Sequence, residues 1–174
     1  MGFDKASIVV AGIPAAQRIA GELSGVAEPV VEVGRGISGI SAVADEEPGS
    51  GPLAATVTGH GVLRAAGHDG PVLVLACDLP LLTSAGLSAL VNWPGDDSVV
   101  PVIGGRAQTL CARWSGRDLA AAAQFVAAGR RSMRSLLGQP GIVLVDETGW
   151  PPGVAGEFRD VDTPGDLERL GIRS

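Results

Sequence analysis

Val72-Leu73-Val74-Leu75-Ala76-Cys77-Asp78-Leu79-Pro80-Leu81-Leu82 is the stretch that decides how this chain is read. Apolar residues that do not alternate with polar ones form a strand buried on both faces, the pattern of a parallel α/β sheet. The run ends on an acid, Asp78, and Pro80 keeps the strand from simply continuing. Ligands of open α/β sheets sit outside the carboxyl ends of strands, which puts Asp78 where a carboxylate can hold a metal. Asp is equally a common turn former, so a metal site and a plain turn both stay open from this stretch alone.

Outward from that strand, helical and strand-like segments alternate. Ser7 to Val10 reads as a short strand. Pro14 fits the first turn of a helix that runs to about Leu23 and stops at Ser24-Gly25. Pro29 to Val33 is a second strand, and residues 34 to 51 form a Gly-rich acidic loop too long for an ordinary connector. Pro52 opens a helix reaching roughly Ala66, followed by the strand at Pro71 to Ala76. Beyond it come a helix at Ser84 to Asn92, strands at Ser98 to Val102 and Gln108 to Trp114, and helices at Leu119 to Ala128 and Ser132 to Leu137. A strand at Ile142 to Val145, a Gly- and Pro-rich loop over 149 to 156 and a last helix capped by Thr163 complete the chain. The alternation predicts βαβ units and a mostly parallel sheet in one domain spanning 1–174.

Composition narrows the function. The 174 residues suffice for one core, and the net charge of −6 argues against sequence-independent binding to nucleic acid, which needs a basic surface. Cys77 and Cys111 form no CxxC pair, so two buried thiols are expected rather than a zinc site or disulfide framework. No apolar run reaches the ~18 residues of a membrane span, and residues 1 to 12 lack a signal peptide's pattern. A cytoplasmic protein is expected. Of the 13 basic residues only Lys5 is lysine, a compact charge suited to phosphate. His60 and His68 are read as surface residues.

Gly49-Ser50-Gly51-Pro52-Leu53-Ala54-Ala55 is a flexible loop running into a helix start, where backbone N–H groups can cradle an anion or a polar edge. With Asp45-Glu46-Glu47 before it, Asp78 one strand later and Met1-Gly2-Phe3-Asp4-Lys5 at the start, the set resembles the MobA-like molybdenum cofactor guanylyltransferases. Residues 1 to 6 are similar to the tail of that family's Leu-x-Gly-Gly-x-Ser-x-Arg-Met-Gly-x-Asp-Lys signature. Asp45 through Ala55 resembles its D-x-x-P-G-x-G-P-L-A-G loop, and Cys77-Asp78-Leu79-Pro80 its C-D-x-P. Arg106 to Leu110, Gly129 to Leu137 and Phe158 to Leu167 are similar to R-x-Q-P-L, G-x-R-S-L-R-x-L-L and F-x-N-V-N-T-P-x-D-L.

The resemblance implies a three-layer α/β/α, Rossmann-like fold of the GT-A type that moves GMP from GTP to the terminal phosphate of molybdopterin and releases pyrophosphate. It implies Mg²⁺ on Asp78, Lys5 neutralising the triphosphate, and Asp45, Gly51, Pro52 and Leu53 around the nucleoside. Gln108, Arg131, Arg134, Asp160 and Asp162 fall on the acceptor side, so the N-terminal half would serve the nucleotide and the C-terminal half the acceptor. An ionised phosphate is already a nucleophile, so positioning and charge neutralisation suffice and no strong general base is required. Asp160 and Asp162 stand where the family usually carries Asn, which leaves CTP beside GTP as donor. A non-catalytic pseudo-transferase that binds the cofactor or a molybdoenzyme partner is the other reading.

Against the family pattern, Met1 falls on the signature's Met, so the strand and Gly-rich turn before it are expected to be absent. That strand lies in the sheet beside the one ending at Asp78, so its loss would leave a gap of two strand spacings, about 9–10 Å. An upstream start, a degenerate paralogue, and Ser7 to Val10 sliding into the gap are the three accounts. Weakened nucleotide binding is expected for this chain.

Overall fold

The computed structural model describes residues 9–160 apart from 11 and 46–48. Lys5, Glu46, Glu47, Asp162 and the helix capped by Thr163 lie outside the described residues.

The sheet that organises the domain is built on β5 (Val72–Leu75), β6 (Val99–Ile103), β8 (Cys111–Trp114) and β9 (Val143–Val145), in the order β5-β8-β6-β9. β7 (Arg106–Ala107) adds a two-residue hairpin to β6 through Gly104-Gly105, both at positive φ, as a tight hairpin turn requires. β6 and β9 are parallel, while β8 runs antiparallel to both β5 and β6.

The expected mostly parallel sheet is therefore corrected to a mixed one. β5, β6 and β9 share a direction, but β8 lies reversed between β5 and β6. The reason is local: β6, β7 and β8 follow one another through short connections, and a parallel return would need a crossover of a dozen residues or more.

Successive residues of the sheet point to opposite faces and supply two cores. Val99, Ile103 and Cys111 face one core, with Leu79, Leu82, Leu87, Leu90 and Phe158. Val100, Ala112 and Trp114 face the other, with Leu53, Leu119, Met133 and Leu136. Helices α1 (Ala15–Ser24) and α3 (Ser84–Val91) cover the first face, and α2 (Pro52–Ala65) and α4 (Gly116–Ala127) the second. Three layers, α/β/α, result. Among the described residues no helix is long and apolar enough to cross a membrane.

Two helix starts carry side-chain caps, and α4 begins at Gly116, earlier than the Leu119 expected. Thr83 accepts from Ala85 N–H at α3, and Ser115 accepts from Asp118 N–H at α4. The segment at 132 to 137 is a single 3₁₀ turn, Met133–Leu136, rather than an α-helix.

Two short ribbons stand apart from the main sheet. β1 (Val9–Val10) pairs antiparallel with β2 (Ile13–Pro14), so Val9 and Val10 pair there and not beside β5. β3 (Glu32–Val33) pairs in parallel with β4 (Ala42–Val43), a strand inside the stretch expected to be loop. That stretch is organised by Glu32, whose carboxylate accepts from the N–H groups of Gly36, Ile37 and Ser38 and from the Ser38 hydroxyl. Burial pushes the Glu32 carboxyl up, and these hydrogen bonds outweigh it to hold it below the usual range.

Two arginines tie loops to the layers through backbone carbonyls. Arg113 on β8 is 5% exposed and donates to Val91, Trp93, Gly95 and Asp97 O at 2.8–3.1 Å, fixing the turn after α3. Arg18 on α1 donates to Leu82 O at 2.6 Å and Leu79 O at 2.5 Å.

Candidate active site

Asp78 lies three residues past β5, in the turn that leaves its carboxyl end. Leu79 and Pro80 are buried behind it. The Arg18 clamp on the carbonyls of Leu79 and Leu82, 61 and 64 residues away, fixes this turn to α1, so a distant upstream helix sets where Asp78 stands. Sequence reasoning passed over Arg18, because nothing local marks a guanidinium whose partners are distant carbonyls.

Three carboxylates act on one thiol. Burial drives the Cys111 thiol far up, and the charges of Glu157, Asp160 and Asp78 push it the same way. Asp78 and Asp160, from two distant motifs, are thus both near enough to Cys111 for their charges to act on it. Cys77 is only half-buried, which corrects the expectation of two buried thiols.

Glu157 has a structural task. Its Oε2 accepts from Thr83 N–H, Thr83 Oγ1 and Gly86 N–H at 2.7–3.1 Å, where α3 begins, and an anion at a helix start is stabilised by the helix dipole. Among the described residues no cluster of three or more His, Cys, Asp or Glu side chains has metal-holding geometry. A pair such as Asp78 and Asp160 suits Mg²⁺ nonetheless, because that ion binds through one or two carboxylates and completes its octahedron with water and substrate phosphate oxygens.

The glycine loop is tied to the segment expected on the acceptor side. Gly51 caps α2 at φ 95° and ψ 172°, and a Cβ there would sit 2.7 Å from Arg131 O and 2.9 Å from Arg131 Cβ. Leu53 N–H donates to Arg131 O at 3.1 Å, while Arg131 Nη1 donates back to Gly49 O at 3.2 Å. The Leu53 N–H is thus already satisfied, and its side chain is fully buried in the second core. Pro52 carries no N–H and is exposed. Asp45 is half-buried at the far end of the β4 loop.

Gln108 is 9% exposed. Its N–H donates to Pro101 O and its Nε2 to Arg106 O, so it braces the β7–β8 connection. Arg134 is exposed, on the turn whose Met133 and Leu136 are buried.

His60 is a correction. It is 9% exposed on α2, and burial, aided by Arg64 and His68, lowers its pKa. His60 borders a cavity of about 520 Å³ between β3, β5, α1 and α2. His68 is half-buried with Nε2 3.0 Å from Pro71 O.

Solved structures share this architecture. Molybdopterin-guanine dinucleotide biosynthesis protein A from Archaeoglobus fulgidus superposes with a TM-score of 0.73 at 21% identity, over 97% of this chain and 89% of that one. A nucleotidyl transferase from Methanothermobacter thermautotrophicus gives 0.68 at 18% identity, over 95% and 82%. The fold is thus the one these two proteins share.

The chain belongs to the family of MobA-like NTP transferase domains, whose model matches residues 1–143. A probable molybdenum cofactor guanylyltransferase from Bacillus licheniformis is 32% identical over 152 residues, 84% of this chain and 72% of that protein. One from Chloroflexus aggregans is 34% identical over 96 residues, 53% of this chain. That match spans 44% of the length of the Chloroflexus protein.

Proposed function

We propose that this chain is a Mg²⁺-dependent nucleotidyltransferase that moves GMP from GTP to the terminal phosphate of molybdopterin. The observation that carries the reading is the placing of Asp78 three residues past the carboxyl end of β5, in the turn that Arg18 clamps. The names of the Bacillus and Chloroflexus relatives support the donor and the acceptor.

In this reading an acceptor phosphate oxygen attacks the α-phosphorus of GTP. The new P–O bond forms as the α–β anhydride bond breaks, and pyrophosphate leaves. The chain's work is to hold anions in line and offset their repulsion. Asp78, with Asp160 or Asp162, would hold Mg²⁺. Bound there, the ion would offset charge on the phosphate oxygens.

Lys5 would neutralise the triphosphate. Asp45 and Gly51 would position the nucleoside, with the bonds from Leu53 and to Gly49 keeping their loop against Arg131. Arg131, Arg134 and Gln108 belong to the acceptor side, where the exposed guanidinium groups would meet the pterin phosphate. Cytidylyl transfer is the second reading, since Asp160 stands where the guanylyltransferases usually carry Asn.

Thermal stabilisation by GTP, CTP and ATP, with and without Mg²⁺, tests the proposal. Stabilisation that needs Mg²⁺, favours GTP and disappears in Asp78→Ala is expected. Stabilisation that persists unchanged in Asp78→Ala removes the metal role from that carboxylate.

A further inference from the structure

The first turn of α3 takes its hydrogen-bond partners from two distant parts of the chain. Thr83 N–H and Gly86 N–H donate to Glu157 Oε2 at 3.0 and 3.1 Å, and the Thr83 hydroxyl donates to the same oxygen at 2.7 Å. Ser84 N–H donates to Glu22 Oε2 at 2.7 Å, and Ala85 N–H to Thr83 Oγ1 at 3.2 Å. A helix start leaves its first N–H groups without intrahelical partners, and a local side chain commonly accepts from them. At α3 the local cap answers for Ala85 alone. Glu22 lies 62 residues before its partner, and Glu157 lies 74 and 71 residues after Thr83 and Gly86.

The turn leading into α3 is held in the opposite sense. The carbonyls of Leu79 and Leu82 accept from Arg18, and the charges of Glu22 and Glu157 act on that guanidinium. Residues 79–86 are thus gripped through their carbonyls by a cation from α1, and through their amides by a carboxylate from the C-terminal part of the chain. Gly86 makes room for the second grip. A Cβ there would come 2.7 Å from Glu157 Oε2 and 3.2 Å from Leu82 Cδ1. Gly inside a helix is less favourable than Ala, and the carboxylate beside it gives the physical reason for a Gly at this place.

Glu157 and Phe158 end the 3₁₀ turn Ala155–Phe158, which packs on α3 and β6. Phe158 is fully buried in the core that holds Leu79 and Leu82, and it meets Trp150 edge-on at a ring separation of 4.7 Å. Two consecutive side chains therefore fix the same stretch of backbone, one by charge and one by burial. Asp160 follows Glu157 by three residues, a reach of at most about 11 Å. Asp78 precedes Thr83 by five. The charges of Glu157, Asp160 and Asp78 all act on the Cys111 thiol.

We infer, resting on the transferase reading above, that Glu157 is a positioning residue: by holding the chain before Asp160 onto the turn after Asp78, it sets the separation of the two carboxylates that would share Mg²⁺. Arg18 ties the Asp78 turn to α1, and Glu157 ties the backbone before Asp160 to that same turn. The nucleotide side and the acceptor side thereby have one common reference. Glu157 Oε2 is taken up by three donors, so its effect on the ion passes through Asp160. Mg²⁺ demands near-ideal octahedral geometry at about 2.0–2.1 Å, which makes its affinity sensitive to where each carboxylate stands. Residues that orient ligands without touching the metal change its affinity by about 10–100-fold when they are lost.

The Mg²⁺ concentration that gives half of the thermal stabilisation in saturating GTP tests this, measured on the parent, Asp78→Ala, Glu157→Ala, Glu157→Gln and Gly86→Ala. Each protein is compared with itself in the absence of Mg²⁺, so a variant that has only lost stability keeps the parent value. Glu157→Ala is expected to raise that value about tenfold or more. Gly86→Ala changes no charge and favours the helix, yet it should raise the value as well by displacing the carboxylate. Glu157→Gln keeps an oxygen that accepts from Thr83 and Gly86, and should stay within about threefold of the parent. The parent value in Glu157→Ala, or in Gly86→Ala where Glu157→Ala does not fold, overturns the inference. When Asp78→Ala abolishes the stabilisation at the same time, the transferase reading survives that result. A rise in Glu157→Gln as large as in Glu157→Ala also overturns the inference, since charge and not position is then at work. A parent that gains nothing from Mg²⁺, or an Asp78→Ala variant that gains as much as the parent, overturns the metal site of the transferase reading and the inference with it.

Discussion

Replacing Arg18 by Met tests whether α1 sets the position of the Asp78 turn. Met keeps most of the aliphatic stem, so the apolar contact of the side chain is nearly conserved. What disappears is the guanidinium fork that donates to Leu82 O at 2.6 Å and Leu79 O at 2.5 Å. Hydrogen bonds made by a charged group contribute ~1.5–3 kcal/mol each. Two offsets reduce the sum. Arg18 Nε is buried without a hydrogen-bond partner, so its removal relieves ~1–3 kcal/mol. The ion pair with Glu22 is long at 3.9 Å and contributes little.

A net loss of ~2–3 kcal/mol, the middle of the range these terms span, is expected from urea unfolding at pH 7. Arg18→Lys should recover only about half of it, because one ammonium cannot reproduce a planar fork reaching two carbonyls. Amide exchange at Asp78 and Leu79 should accelerate beyond the global loss, showing that the turn itself has loosened. A loss below ~0.5 kcal/mol, or full recovery by Lys, refutes the reasoning.

Three further outcomes follow from the same geometry. Gly51→Ala combines a backbone conformation that costs ~1–3 kcal/mol for a residue with a Cβ with a 2.7 Å approach to Arg131 O. Thermal unfolding should show a loss of ~2–4 kcal/mol, together with faster exchange of the Leu53 amide; a variant as stable as the parent contradicts this. His60 has its pKa lowered by burial, so the folded state holds fewer protons than the unfolded one below the ordinary value of 6.5. Stability is retained above that pH and lost as pH falls below it, and His60→Leu should flatten the dependence between pH 7.5 and 5.5 in urea titrations. Asp118 is buried, which raises its pKa, but the hydroxyls of Ser98 and Ser115 and the Arg117 side chain outweigh this and hold it below 3.8. Its contribution is present above that pH and lost as pH falls below it, so Asp118→Asn should be least stable relative to the parent near neutrality and converge with it in acid.

The sequence was most legible where local signals and burial agree. The unbroken apolar run at 72 to 76 is β5, and Asp78 stands just past its end as read. Pro14, Pro52 and the Ser24-Gly25 stop bracket helices within a residue or so of their bounds. Of the two-residue ribbons, β1 and β3 fall inside the strands read at Ser7 to Val10 and Pro29 to Val33, while their partners β2 and β4 escape such reading because two residues establish no period. The reversed β8 was also missed, since direction depends on connection length rather than on the residues of the strand. His60 looked like a surface residue because its burial comes from packing around a cavity lined by segments distant in sequence. Arg18 and Arg113 escaped notice for a related reason: their partners are carbonyls, which every residue possesses. Within the candidate site, the place of Asp78 at a strand end was legible, whereas the shared influence of Asp78 and Asp160 on Cys111 depends on the fold. The lock between Gly51 and Arg131 needed coordinates.

Transfer of label from [α-³²P]GTP to molybdopterin by the protein, in Mg²⁺, tests the central claim most directly. The account predicts labelled dinucleotide and pyrophosphate in equal amounts, with GTP preferred to CTP and at least a 100-fold loss in Asp78→Ala. Absence of labelled product with either nucleotide, or undiminished transfer in Asp78→Ala, would contradict it.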